Sequence, residues 1–147
     1  MIEDTQLDIA LIAQAVGTLG MVGAIWLVQL AHYPLQVHVD RDRFLEYQQA
    51  HMRRITFVVG PLMVLEAAAA AWLLFLPMPD PGELLAWIGM GLVLLLWGST
   101  LVLQVPCHWK LERGWDERAH RRLVASNWVR TIGWTARGVI ACWMLLL

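Results

Sequence analysis

Long apolar stretches alternate with short polar ones along the whole chain. Apolar positions dominate 9–31, 55–76, 84–105 and 123–147, and each stretch reaches the roughly 20 residues that a helix needs to cross a bilayer. Backbone groups in lipid must be satisfied within the segment, so the pattern predicts four helices. "PMPDPGE" at 77–83 predicts a tight turn between the second and third. The few polar residues inside the stretches are spaced for one face each. Gln14, Thr18, Gln29 and His32 share a narrow stripe of the first, with Ile25 among them. His51 and Glu66 nearly coincide in the second. Thr100, Gln104 and His108 recur at every fourth position in the third, and Asn127, Arg130, Trp134 and Arg137 keep a helical spacing in the fourth. Polar stripes on otherwise apolar helices belong in a bundle interior. The expected fold class is all-α: one integral membrane domain over 1–147, built as a four-transmembrane-helix bundle.

A repeat refines this picture. Shifted by 76 positions, the two halves align without a gap, placing His32 on His108, Tyr33 on Trp109, Leu35 on Leu111, Asp40 on Asp116, His51 on Asn127 and Arg54 on Arg130. The bundle is then two pseudo-symmetric helical hairpins of like orientation, related by an axis along the membrane normal. Asp40 and Asp116 are candidate N-caps for helices that begin before the second and fourth apolar stretches.

Charge orients the hairpins. Arg41, Arg43, Arg53 and Arg54 lie in one connection, and Lys110, Arg113, Arg118, Arg121 and Arg122 in the other. The opposite side, at 1–8 and 77–83, carries acids and no Lys or Arg. Both basic loops are therefore expected in the cytoplasm and both termini outside, in a bacterial-type inner membrane. The acidic start is unlike a secretory signal, so the first apolar run is expected to be retained. Composition agrees: 59% of residues are hydrophobic, mean hydropathy is +0.54 and nine are tryptophan, a residue suited to membrane interfaces. Cys107 and Cys142 fall at opposite ends of the expected bundle, too far apart for a disulfide.

Several chemistries are excluded. No lysine lies inside a span, so a retinal Schiff base is out. No Gly-rich phosphate loop and no G-x-S-x-G elbow is present. The basic loops, interleaved with Trp109 and Trp115, fit an anionic membrane surface better than nucleic acid.

Three readings of the polar residues stay open. All five histidines lie near the expected cytoplasmic ends. His32, His51 and His108 are the candidates to bind a transition metal (iron or copper) or a haem, although no H-x-x-x-H or E-x-x-H spacing occurs. Alternatively they are interfacial groups bonded to backbone and headgroups, the expectation for His38 and His120. Thirdly, the bundle holds a flat or anionic molecule. Arg54, Arg130 and Arg137 would then face a carboxylate or phenolate, Trp128 and Trp134 would stack on its ring, and His51 or His108 would accept a proton. Catalytic candidates are His51, Asn127 and Arg130. Deeper in the bundle, Glu66 and Arg137 are expected to form an intramembrane ion pair, because a lone charge there costs several kcal/mol.

"VPCHWKLERGWDERAHRRLVASNWVRTIGWTARGVIACWMLLL" resembles the anthrone oxygenase-like family of small four-span membrane proteins. The resemblance rests on Val105-Pro106 after the third span, then about twenty residues, then Asn127, Arg130 and Thr131 opening the fourth helix. "HMRRIT" in the first half gives a partial second copy. It implies a compact four-helix bundle in a family whose named members oxygenate polycyclic aromatic anthrones. Asn127 stands where a histidine is often found, and Arg137 is additional. The leading expectation is a membrane oxidoreductase or oxygenase-like protein with a pocket near the cytoplasmic face for a metal, a haem or an aromatic substrate. The alternatives are a non-enzymatic subunit or assembly partner of a larger membrane complex, with a homodimer or partner subunit implied, and a small transporter.

Overall fold

The computed structural model describes residues 2–147, with side chains from Thr5 onward. The side chains of Glu3 and Asp4, two of the N-terminal acids, lie outside the described set. The chain is all-helical, with no strand among the described residues. Four long helices dominate: α1 (Ile2–Leu27), α3 (Arg41–Leu73), α4 (Gly82–Ser99) and α6 (Glu117–Met144). Two short ones, α2 (Tyr33–Leu35) and α5 (Val105–Leu111), lie in the connections. By length and composition three stretches can cross a membrane, Thr5–His38, Arg41–Leu73 and Gly82–Leu111. The chain is therefore a helical bundle with the features of a membrane protein.

The helices form a four-membered ring. α1 packs on α3 and α6, and α4 packs on α6 and, less extensively, on α3. Side chains fill the ring in layers. At the turn end lie Ala10, Leu73, Leu85, Ala86 and Met144. A middle layer holds Met21, Ile25, Met63, Leu96 and Trp134. At the histidine end lie Val28, Tyr33, Phe44, Cys107, Leu111, Ala119 and Leu123. The outer surface is apolar instead: Val16, Phe57, Val64, Leu94, Val102, Ile132 and Val139 are all exposed. Soluble proteins seldom expose so much apolar surface.

Between the turn-end and middle layers sits one polar layer, centred on Glu66 and Arg137. Arg137 Nε donates to Glu66 Oε1 at 2.6 Å, with the side chains 1% and 0% exposed. Thr18 donates to Glu66 Oε1 at 2.9 Å, and Trp134 Nε1 to Oε2 at 2.9 Å. Arg137 Nη2 donates to Gln14 Oε1 at 3.2 Å. The pair crosses the ring from α3 to α6. The repeat register puts Arg137 level with Pro61, about 7.5 Å short of Glu66 at 1.5 Å per residue. The reach of the guanidinium and the lean of Glu66 toward its own N-terminus close that gap. Two glycines make room. A Cβ on Gly17 would stand 2.9 Å from the Glu66 backbone nitrogen, and one on Gly89 would stand 2.7 Å from Arg137 Nη1. All four long helices thus meet at this layer.

The two helix starts in the connections differ. Asp116 caps α6, its Oδ1 accepting from Ala119 N–H at 2.8 Å. Asp40 occupies the matching position before α3 but makes no side-chain cap bond. The Ala119 N–H holds the Asp116 carboxyl below its ordinary range. Its ionised form is favoured by folding, so that stability is present above the unfolded-chain pKa and is lost as pH falls through the folded value. Asp116→Ala should therefore lower the thermal midpoint at neutral pH. In melts at stepped pH, the gap from the parent should close below about pH 4.

Candidate functional site: a polar-ended cavity at the histidine end

Each odd-numbered span changes pitch before it ends. α1 runs into a π-turn at Val28–His32, and α4 into another at Thr100–Gln104. A proline comes after each at the same spacing, Pro34 and Pro106. These features match at an offset of 72, whereas the N-caps and α3 and α6 match at 76. The second connection is longer by four residues, about one helical turn. π-Turns of this kind frequently mark functional sites. Here each places a glutamine against α6. Gln29 accepts from Asn127 Nδ2 at 2.8 Å and donates to the Val124 carbonyl at 3.4 Å, and Gln104 donates to Ser126 at 3.1 Å.

The extra residue in the first π-turn also rotates the chain beyond it. The stripe through Gln14 and Gln29 projects His32 inward at regular pitch. In the structure Tyr33 takes the interior position, 2% exposed, and His32 moves to the edge of the bundle, half-buried. There His32 stacks on His51, with ring centroids 3.9 Å apart and planes at 24°, and on Tyr47 at 6.0 Å and 18°. His108 lies 6.4 Å from His51.

Hydrogen bonds knit these rings together. Gln48 Nε2 donates to His108 Nδ1 at 3.2 Å, so the neutral ring carries its proton on Nε2 and donates it to Tyr33 Oη at 3.2 Å. Gln36 Nε2 donates to Gln48 Oε1 at 3.4 Å and to His32 Nε2 at 3.3 Å. His32 Nδ1 lies 3.5 Å from Tyr47 Oη. His120, expected at the interface, is buried instead. Its Nε2 donates to the Tyr33 carbonyl at 2.9 Å, fastening α2 to α6, and its ring packs on Trp115. His38 is exposed.

A cavity of about 170 Å³ opens beside this cluster. Its walls are apolar: Met21, Ala24, Ile25, Ile55, Val59 and Met63. Its polar end carries Tyr33, His51, His108 and Arg130, with Thr100 and Gln104 at the side. It lies between α3 and the π-turn and α5 that follow α4, with α1 as its third wall. Outside it, between α3 and α5, runs a groove lined by Gln49, Arg53, Phe57, Trp109 and Glu112. Groove and cavity share Met52, Thr56, Val105 and His108 as common wall residues. On the far side of α3, His51 also borders a surface pocket with His32, Tyr47 and Arg54.

Arg130 is the unusual member. It is 7% exposed, its Nε is buried without a hydrogen-bond partner, and no carboxylate pairs with it among the described residues. Its guanidinium carbon stands 5.4 Å from the Trp134 ring, it is within hydrogen-bonding reach of the Tyr33 hydroxyl, and its charge acts on His108. Arg137, by contrast, has Glu66. A buried cation costs several kcal/mol unless something answers its charge.

The structure sorts the sequence candidates. His51, His108 and Arg130 reach the cavity. His32 touches it only through His51. Asn127 is buried against Gln29 and does not line it. Trp128 is 40% exposed on the outer surface, edge-on to Trp26, and Trp134 lies in the middle layer bonded to Glu66, so neither stacks in the cavity. Arg54 is exposed, and Arg137 belongs to the deeper polar layer. Tyr33, Gln36 and Gln48 were not anticipated. Gln48 had a signal, since it precedes His51 by one helical turn and shares its face.

The three histidines do not fit a metal or haem as placed. Lone pairs lie in the imidazole plane, so two rings stacked at 3.9 Å direct them side by side instead of toward one point. Both nitrogens of His32 and of His108 are occupied by the glutamines and tyrosines. Among the described residues, no group of three or more His, Cys, Asp or Glu is disposed to hold a metal ion. A cavity near 170 Å³ does not admit a porphyrin. No protein-family model matches the chain, and no curated protein or solved structure matches it.

Proposed function

We propose that the chain is a four-span membrane protein that takes a single-ring, acidic aromatic molecule from the lipid phase and holds it as its anion. Arg130 carries this reading: a buried cation with no carboxylate partner, at the polar end of an otherwise apolar cavity. The volume supports one ring, because a cavity of about 150 Å³ holds benzene. An oxygen at the polar end would meet the Arg130 guanidinium and the Tyr33 hydroxyl, while the ring rests on methionine and branched side chains. Access is lateral, from the groove between α3 and α5 past Met52 and Val105.

α6 supplies the fourth span in this reading. It falls short on composition because Asn127, Arg130, Thr131 and Arg137 turn inward, while Val129, Ile132 and Val139 form its apolar outer face. The cavity then lies near the cytoplasmic ends, where the arginines of both connections gather.

Proton abstraction is the chemistry that fits. The phenolic O–H bond breaks, the proton leaves by way of a His51 ring nitrogen for water in the surface pocket without resting on the ring, and the oxyanion remains on Arg130. His51 borders both the cavity and the surface pocket, so it can release the proton on the other side of α3. Phenolates are electron-rich, so an oxidoreductase or oxygenase-like activity would draw its electrons from the bound anion and would need an oxidant, dioxygen or a membrane quinone, supplied from outside the cavity.

4-Nitrophenol tests this, because its anion alone is yellow. Protein in detergent should bind it with the anion band enhanced at a pH where the free probe is largely protonated. Arg130→Met should cut affinity at least tenfold, as charge-assisted bonds contribute about 1.5–3 kcal/mol. Equal binding by Arg130→Met, or binding of the neutral form alone, would overturn the reading.

A further inference from the structure

We infer a second binding site, for the phosphodiester headgroup of an anionic phospholipid, in a concavity between α5 and the start of α6. It measures about 170 Å³ and is floored by Pro106, Cys107 and Ala119, with Lys110, Arg118 and Arg122 around it. None of the three cations has an ion-pair partner among the described residues. The neighbouring carboxylates are engaged elsewhere: Glu117 pairs with Arg121 at 3.2 Å, and Asp116, whose charge reaches Lys110 and Arg118, is held by the Ala119 N–H. Three cations around one hollow, with only Asp116 near two of them and no ion pair formed, call for a ligand of opposite charge, and a phosphodiester offers two acceptor oxygens to Arg118 and Arg122 together.

The repeat provides an internal comparison. At the 76-residue offset that relates α6 to α3, the counterparts of Arg118 and Arg122 are Asp42 and Glu46, and at the 72-residue offset that relates α5 to α2, Lys110 matches His38. The first hairpin therefore carries acids where the second has the two arginines of this cluster. A general excess of basic residues on one membrane face would treat the two hairpins alike, and this does not. The level suits a lipid. Trp109 is exposed on the same short helix, and Val102 and Val129, exposed and apolar, lie about one and two turns further into the apolar zone. Basic hollows between helices at a cytoplasmic face are suited to anionic headgroups. This rests on the membrane placement and not on the ring cavity.

Native mass spectrometry with added phosphatidylglycerol, against phosphatidylcholine of the same chains, tests the site. The parent should retain one phosphatidylglycerol per chain in preference to phosphatidylcholine. Arg118→Gln with Arg122→Gln should lose that preference at least tenfold. Arg43→Gln with Arg113→Gln removes the same charge elsewhere and should keep it. Lys110→Gln alone should weaken it in part, which keeps the test open if the double variant is unstable. 4-Nitrophenol binding should persist throughout, so failure here and failure of the cavity reading are distinct. Equal loss in both double variants, no preference over phosphatidylcholine, or displacement by inorganic phosphate at equal concentration would each overturn the inference.

Discussion

Glu66→Leu should destabilise the bundle by about 3–5 kcal/mol, the usual cost of removing one partner from a buried ion pair. The variant strands more than a salt bridge. Arg137 keeps its charge in the interior with only Gln14 left to bond, while the Thr18 hydroxyl and the Trp134 indole N–H lose their acceptor. Arg137→Leu should cost a similar amount, leaving Glu66 with two neutral donors. The double variant Glu66→Gln, Arg137→Gln should be more stable than the two single Gln changes predict, with a coupling of about 0.5–3 kcal/mol. Denaturant titration in detergent, followed by helical circular dichroism, measures all of these. Additive single effects would mean the two groups do not depend on each other.

Ala24→Phe should abolish 4-nitrophenol binding and leave the thermal midpoint nearly unchanged. Ala24 lines the cavity wall and is half-buried. A phenyl ring placed there occupies the space proposed for the ligand ring without displacing packed atoms. Ala10→Phe is the control. Ala10 is fully buried in the turn-end layer, where the same enlargement meets closed packing and should cost at least about 1–3 kcal/mol with the cavity intact. Retained binding in Ala24→Phe, at undiminished affinity, would show that the ring sits elsewhere.

Much of the bundle was legible because lipid-facing helices invert the usual pattern, so each inward polar residue is conspicuous. Gln14, Thr18, Glu66 and Arg137 are each isolated in apolar sequence, and periodicity alone directs them to one interior. The histidine end was harder to read. A regular helix projects His32 inward, but the π-turn shifts the register by one residue and delivers Tyr33 instead. Nothing in "VQLAHYPL" announces that turn except the proline that recurs behind the second one. Gapless alignment at 76 also concealed that the π-turns correspond at 72, so His32 and His108 match in sequence but occupy different places in their hairpins. Trp128 and Trp134 lie away from the cavity, and spacing could not foretell it: an indole is equally at home against lipid, against a core and against a ligand.

In the proposed complex, the cavity between α1, α3 and the π-turn with α5 takes an aromatic ring with its oxygen toward Arg130. Photolabelling with 4-azidophenol, then peptide mapping, tests it most directly. Adducts should fall on 21–28, 51–63 and 100–108, and unlabelled 4-nitrophenol should suppress them. Adducts confined to the separate hollow at the turn end, which Leu73, Pro77, Glu83 and Trp87 line, or to the outer face at Trp26 and Trp128, would overturn it.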